Sequence, residues 1–217
     1  MRDIKNALVA FSGGKDSVAV SKYVREELKL DLPHIAIVNY ELDYPEHIEY
    51  IKDYANKNNI DLVIYNLKER GLDFVKKNPK YILPYDSKIK SEWFRKFQQY
   101  GVKKYAKLIQ KNTIIWGRRT ADGNNIKAEY YTTSDKLNHY FPIKDWSNER
   151  TKLYIEDQEL TPIYATRRGY ERGTHTINIA NHYNGNDSEA LELVKSINET
   201  QYKKLMDLLD YRAITRE

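Results

Sequence analysis

The chain has 217 residues, 41% hydrophobic and 31% charged, with 36 basic and 31 acidic residues for a formal net charge of +5. This composition is globular, and the length suits one large domain or one domain with a helical extension. There is no cysteine, which excludes disulfides, thiolate catalysis, zinc fingers and iron–sulfur clusters held by this chain's own thiolates. No apolar run approaches the roughly 18 residues of a membrane span. Met1 to Asn6 runs straight into a strand-like segment without signal-peptide architecture, so no membrane and a cytoplasmic location are expected. The small basic excess reads as a solvated surface or as a preference for a polyanion, nucleotide or nucleic acid.

Ala7-Leu8-Val9-Ala10-Phe11 is a continuous apolar run and reads as a buried parallel strand ending at Ser12-Gly13-Gly14. Val20, Tyr23, Val24 and Leu28 then recur at helical spacing. Ile35 to Val38 is a second strand. Pro45 suits the first turn of a helix carrying Ile48, Ile51, Tyr54 and Ala55, and Leu62 to Tyr65 is a third strand. Strand, helix, strand, helix, strand predicts a doubly wound, mostly parallel α/β sheet, here of five strands.

Residues 67–90 show no periodicity, and a loop of that length is often functional. A helix is expected from Glu92 to Gln110 and a fourth strand over Thr113–Trp116, closed by Gly117. Residues 118–134 read as a Gly- and Asn-rich loop. Tyr140-Phe141-Pro142-Ile143 reads as an edge segment because proline is poorly tolerated in central strands. Asn148–Glu159 is helical with Ser147 or Asn148 as cap, and residues 161–186 are irregular. Asn186-Asp187-Ser188-Glu189 fits a capping box before one amphipathic helix, which reads as packing on the domain or as a dimer surface. The expected organisation is a nucleotide-binding α/β domain over residues 1–180 with a C-terminal helical extension over 181–217.

The chemistry concentrates at Ser12-Gly13-Gly14-Lys15-Asp16-Ser17. Glycines let the backbone approach a phosphate, and the following helix adds unpaired N–H groups and its positive end. Ser12 and Ser17 can donate hydroxyls, and Lys15 can neutralise charge. Asp16 beside a phosphate is repulsive unless it holds magnesium or caps the helix. This is not a Walker A loop: Val9 stands where that motif has its first glycine, and Asp16 follows the lysine in place of Ser or Thr.

Phe11-Ser12-Gly13-Gly14-Lys15-Asp16-Ser17 resembles the PP-loop of the adenine nucleotide α-hydrolase-like superfamily. Within it the chain resembles the phosphoadenosine phosphosulfate reductase family. Three further segments support this: Asn39 to His47, ending in Pro-Glu-His; Trp116-Gly117-Arg118-Arg119, similar to a Gly-x-Arg motif; and Phe141-Pro142-Ile143-Lys144-Asp145-Trp146-Ser147. The resemblance covers roughly residues 5–173. It implies an adenine nucleotide lying across the carboxyl ends of the strands, with Phe11 to Ser17, Asn39 and Gly117 binding it.

The reductases of that family carry a catalytic Cys near the C-terminus, and Tyr170-Glu171-Arg172-Gly173-Thr174-His175-Thr176 has none. Reduction through a thiol of this chain is therefore ruled out. The resemblance then implies an enzyme that splits ATP between its α- and β-phosphates and transfers AMP to an acceptor, as other PP-loop enzymes do. Ser12 to Ser17 would clamp pyrophosphate, Lys15, Asp16, Arg118 and Arg119 would act at the α-phosphate, and Asp16 would ligate Mg²⁺. Arg118 and Arg119 also read as a surface ion pair. Glu41 and Asp43 are candidate substrate or metal residues, and Arg167, Arg168 and Arg172 read as a polyanion lid or a solvated basic loop. Asp145-Trp146 reads as helix cap and core filler. His175 and His182 lack a recognised ligand spacing, and His47 reads as lying on a helix face. The alternatives are a nucleotide-binding subunit of a sulfur-transfer or nucleic-acid-modification system with a partner protein, and a nucleotide sensor without turnover.

Overall fold

The computed structural model describes residues 4–160, 164–167, 170–173, 175–179 and 187–214, with the backbone alone at 164–167, 170–173, 187 and 214. The chain forms two compact units: Met1–Ile37, Tyr50–Tyr65 and Tyr100–Thr161 in the first, and Val38–Glu49, Asn66–Gln99 and Pro162–Glu217 in the second.

The first unit is built on the apolar runs. Strands β1 (Ala7–Ala10), β2 (His34–Val38), β3 (Leu62–Asn66), β4 (Thr113–Ile115), β5 (Tyr130–Thr132) and β6 (Asn138–Tyr140) make one sheet in the order β3-β2-β1-β4-β6-β5. β1 pairs in parallel with β2 and β4, β4 with β6, and β5 runs antiparallel to β6. Ala7, Leu8, Val9, Ile114 and Ile115 are fully buried, as continuous apolar parallel strands require. The sequence runs β1, β2, β3 to one side and resumes with β4 on the other, so the topological switch point lies between β1 and β4.

Helix α1 (Lys15–Glu26) follows β1, and α2 (Pro45–Lys57) follows β2. Phe11, at the end of β1, is anchored by stacking on Tyr54 at 5.4 Å between ring centroids. Below it, buried His34 is hydrogen bonded to Ser21 and to the Leu32 carbonyl. Burial holds this imidazole down at about 4.

The sheet has six strands where five were expected. The additional strand, Tyr130–Thr132, lies inside the segment read as loop, and three residues are too short to impose a period of two. β6 is not an edge segment: β4 and β5 flank it, and the strand stops at Tyr140, so Pro142 never enters the ladder. Helix α6 (Asn148–Tyr154) is shorter than expected and is capped by Ser147, which accepts from the Arg150 N–H at 3.1 Å. Trp146 is buried, whereas the exposed Asp145 pairs with Lys144 instead of capping.

In the second unit the aperiodic 67–90 segment contains single-turn helices at Lys68–Arg70 and Pro79–Tyr81 and the short helix α3 (Leu72–Lys77). The next helical run begins at Ser87, five residues earlier than expected, with Asp86 accepting from the Lys88 N–H. In this unit it comprises α4 (Ser87–Phe94) and a π segment at Arg95–Gln99, and it continues as α5 (Tyr100–Leu108) of the first unit. Within the segment read as irregular, β7 (Tyr164–Arg167) pairs antiparallel with β8 (Tyr170–Gly173). The single C-terminal helix is two helices, α7 (Asp187–Ile197) and α8 (Glu199–Ile214). They divide at Asn198, whose side chain accepts from the Gln201 N–H and so caps α8. Asn186 of the expected capping box lies outside the described residues. No helix among the described residues is long and apolar enough to cross a membrane.

Candidate nucleotide site

Two segments leave the sheet at the switch point, both at carboxyl ends of strands: Phe11–Gly14 after β1 and Trp116–Asp122 after β4. Gly13 has φ 73°, a conformation that favours glycine and turns the chain into α1. Gly14 caps α1 without a side-chain hydrogen bond. Its backbone is extended, and an added Cβ would meet only the Ser12 hydroxyl at 3.7 Å. No protein neighbour therefore demands glycine at 14. Its missing side chain leaves the first-turn N–H groups of α1 open to an anion.

Gly117 is needed for packing. A Cβ there would lie 2.3 Å from the Asp16 carbonyl oxygen and 3.0 Å from the Ser17 nitrogen. The end of β4 thus presses directly on the start of α1, and the Gly-x-Arg segment braces the phosphate loop.

Arg119 completes that brace. It is fully buried. Its Nε lies 2.7 Å from Asp16 Oδ1 in an ion pair. Nη1 donates to the Trp146 carbonyl at 3.2 Å and the Thr151 hydroxyl at 3.0 Å. Nη2 donates to Asp122 and Asn148, each at 2.8 Å. Lys15 Nζ donates to both Asp16 carboxylate oxygens at 2.9 Å and stands 3.6 Å from Asp122. Two cations and two carboxylates form a neutral quartet under the loop. Burial still outweighs both cations at Asp16 and lifts its carboxyl above the usual carboxylate range.

The remaining expected residues divide by unit. In the first, Ser17 is buried and donates to the Gly14 carbonyl at 2.9 Å, while Ser12 is exposed, with its hydroxyl 3.4 Å from that of Ser17. The Phe11 side chain is committed to the core, so only its backbone is available to a ligand. Arg118 is half-buried and donates to Asn124 through Nε at 3.2 Å and Nη2 at 2.6 Å.

In the second unit, Asn39 is buried and donates to the Leu67 carbonyl while accepting from the Glu41 N–H. Glu41 accepts from the Leu72 N–H at the start of α3, in space that Gly71 keeps open. Asp43 is fully buried and accepts from the Asn39 N–H at 2.8 Å. Burial pushes its carboxyl well above the usual range, opposed only by the Asn39 amide and the Thr176 hydroxyl. Asp43 closes the turn of its own segment, while Asn39 and Glu41 tie that segment to Leu67 and Leu72. His47 is buried in α2 and stacks on His175, which is hydrogen bonded to Gln98. Arg168 and His182 lie outside the described residues, as do the Arg167 and Arg172 side chains.

Asp122, Asn148 and Thr151 were not among the sequence candidates. Ala121-Asp122-Gly123 carries a turn signal, and Gly123 has φ 77°. The i,i+3 relation of Asp122 to Arg119 was therefore legible as a turn pair. Asn148 and Thr151 reach Arg119 only through the tertiary fold.

A mostly parallel, doubly wound sheet with a glycine loop and helix N-terminus at its switch point defines a nucleotide-binding α/β protein of the PP-loop type. The family model of the phosphoadenosine phosphosulfate reductase domain matches residues 6–173, and the chain belongs to that family. Solved structures share the fold. The phosphoadenylyl-sulfate reductase of Candida auris, in a phosphate complex, is 14% identical with a TM-score of 0.55, covering 79% of this chain and 82% of its own. The U34-tRNA thiolase of Methanococcus maripaludis, with its [4Fe-4S] cluster, is 11% identical with a TM-score of 0.56, covering 97% and 72%. Among curated sequences, a Ribonuclease HII of Methanococcus maripaludis is 26% identical over 171 residues, 71% of this chain and 69% of its own.

Proposed function

We propose that this chain is an adenylyl-transfer enzyme that binds ATP on Ser12 to Ser17 and cleaves it between the α- and β-phosphates. The acceptor oxygen forms a bond to the α-phosphorus as the bond to the bridging oxygen breaks. Pyrophosphate leaves, and any acceptor proton passes to solvent. The observation that carries the reading is the open, glycine-capped N-terminus of α1 at the switch point, with Lys15 half-buried beside it. That arrangement supports holding the leaving pyrophosphate on backbone N–H groups and one lysine. Arg119 contributes as a positioning residue, since its buried guanidinium is committed to the quartet and the chain around it. Arg118, half-buried at the carboxyl end of β4 and bonded to Asn124, is the arginine we assign to the α-phosphate.

Thiol-based sulfonucleotide reduction by this chain is excluded because it has no cysteine. Magnesium enters the proposal as the counter-ion of the triphosphate. Both Asp16 oxygens are bonded to Lys15, and among the described residues no group of three His, Cys, Asp or Glu is placed to hold a metal. Magnesium would therefore arrive with the triphosphate and meet Asp16 as its carboxylate once Lys15 turns to the phosphate, and no step is routed through it.

The test incubates purified protein with magnesium and ATP labelled at the α-phosphate, with and without cell extract as acceptor source. AMP or an AMP adduct together with pyrophosphate is expected, and the adduct mass identifies the acceptor. ADP and free phosphate as sole products would sink the α-phosphate mechanism. Tight ATP binding without product under every condition would favour the sensor reading.

A further inference from the structure

We infer that Asp122 is a positioning residue that parks Lys15 away from the phosphate loop, so that a bound phosphate must take the lysine from it. This rests on the nucleotide reading above. Lys15 faces two carboxylates, both oxygens of Asp16 at 2.9 Å and Asp122 at 3.6 Å, and its side chain is only 13% exposed. Arg119 touches the same two carboxylates, at 2.7 and 2.8 Å. Each carboxylate therefore already has a buried cation that cannot leave, because the remaining Arg119 donors are fixed to Trp146, Thr151 and Asn148. Lys15 is the exchangeable member. When it turns to a phosphate, Arg119 alone holds Asp16 and Asp122, and the quartet becomes net negative beneath an anion.

Asp122 sits in the turn after β4, outside the loop itself. It sets how tightly phosphate binds without touching it, because its charge favours the parked lysine. Asp122→Asn keeps an oxygen acceptor for Arg119 Nη2 and removes the charge. Asp122→Ser, shorter and neutral, serves as a second variant should the amide disturb the turn.

Two readouts are taken on folded protein, checked by thermal unfolding. The first is acetylation of Lys15 by acetic anhydride without nucleotide, followed by peptide mass spectrometry. The second is ATP affinity by calorimetry, repeated in a Lys15→Met background. Removing a half-screened charge is expected to speed Lys15 acetylation about threefold and tighten ATP binding about fivefold. The gain in affinity should vanish in Lys15→Met, which a purely structural role of Asp122 would not produce. Unchanged Lys15 acetylation in both Asp122 variants overturns the parking contact. Faster acetylation with unchanged or weaker ATP binding overturns the competition. Faster acetylation with no ATP bound by any form, wild type included, overturns the nucleotide reading and the competition with it, while the parking contact stands.

Discussion

Two carboxylic acids, Asp16 half-buried in the first unit and Asp43 fully buried in the second, meet the same problem differently. Asp16 and Asp43 both have their carboxyls lifted by burial. Asp16 is given two cations, one fixed and one movable, and a turn carrying a second carboxylate. Asp43 is given one backbone N–H, from Asn39. An acid that closes a turn can stand neutral and needs no counter-charge. An acid beside an anion site must remain a carboxylate that can let its lysine go. The difference agrees with the role in chemistry proposed for Asp16 and with the turn that Asp43 closes.

The largest expected break in that comparison is Arg119→Met. It leaves Asp16 and Asp122 without their fixed cation and orphans acceptors at Trp146, Thr151 and Asn148. Urea unfolding should show a loss of roughly 3–5 kcal/mol. A loss under about 1 kcal/mol would mean the quartet is not held by Arg119. Next is Gly117→Ala, whose Cβ would meet the Asp16 carbonyl at 2.3 Å. Because backbone cannot step aside as a side chain tip can, a cost of about 3 kcal/mol is expected, together with loss of ATP binding. Retained affinity in calorimetry would separate the brace from the loop.

Asp43→Asn should act in the opposite direction. A raised folded-state pKa gives stability that is fully present below the unfolded value near 4 and is lost as pH rises through the folded value. Wild type should thus weaken from about pH 4 upward, and the amide variant should not. Melting temperatures at pH 5 and pH 8 should show the variant stabilised, by about 1–2 kcal/mol at the higher pH. An equal offset at both values would show that Asp43 does not titrate in this range. The smallest stability effect is expected for Lys15→Met, within about 1 kcal/mol because its partners are partly exposed and Arg119 remains. The same substitution should cost ATP affinity about a hundredfold in calorimetry. A large stability loss without an affinity change would reverse the role given to Lys15.

The run from Ala7 to Ser17 makes the centre of the site legible in the sequence. A continuous apolar strand can be satisfied only inside a parallel sheet, and two glycines before a helix leave its N–H groups open. Segments with short or mixed periods are less legible. Tyr130–Thr132 and Asn138–Tyr140 are three-residue strands whose pairing depends on β4, and the paired strands β7 and β8 sit in a stretch without alternation. The C-terminal helices read as one because their apolar spacing continues past Asn198, and the division depends on that side chain capping α8.

By itself the sequence determined the α/β class, the glycine loop proposed to hold the nucleotide and, by the absence of cysteine, the thiol chemistry this chain cannot perform. These are local properties of spacing and composition. Only the tertiary structure decided that Arg119 is fully buried against Asp16 and Asp122, that Gly117 braces the loop, and that Asp122 shares Lys15 with Asp16. Each of those roles is a contact between the turns after β1 and β4, or between them and α6. Such contacts exist only once β1 and β4 lie side by side at the switch point.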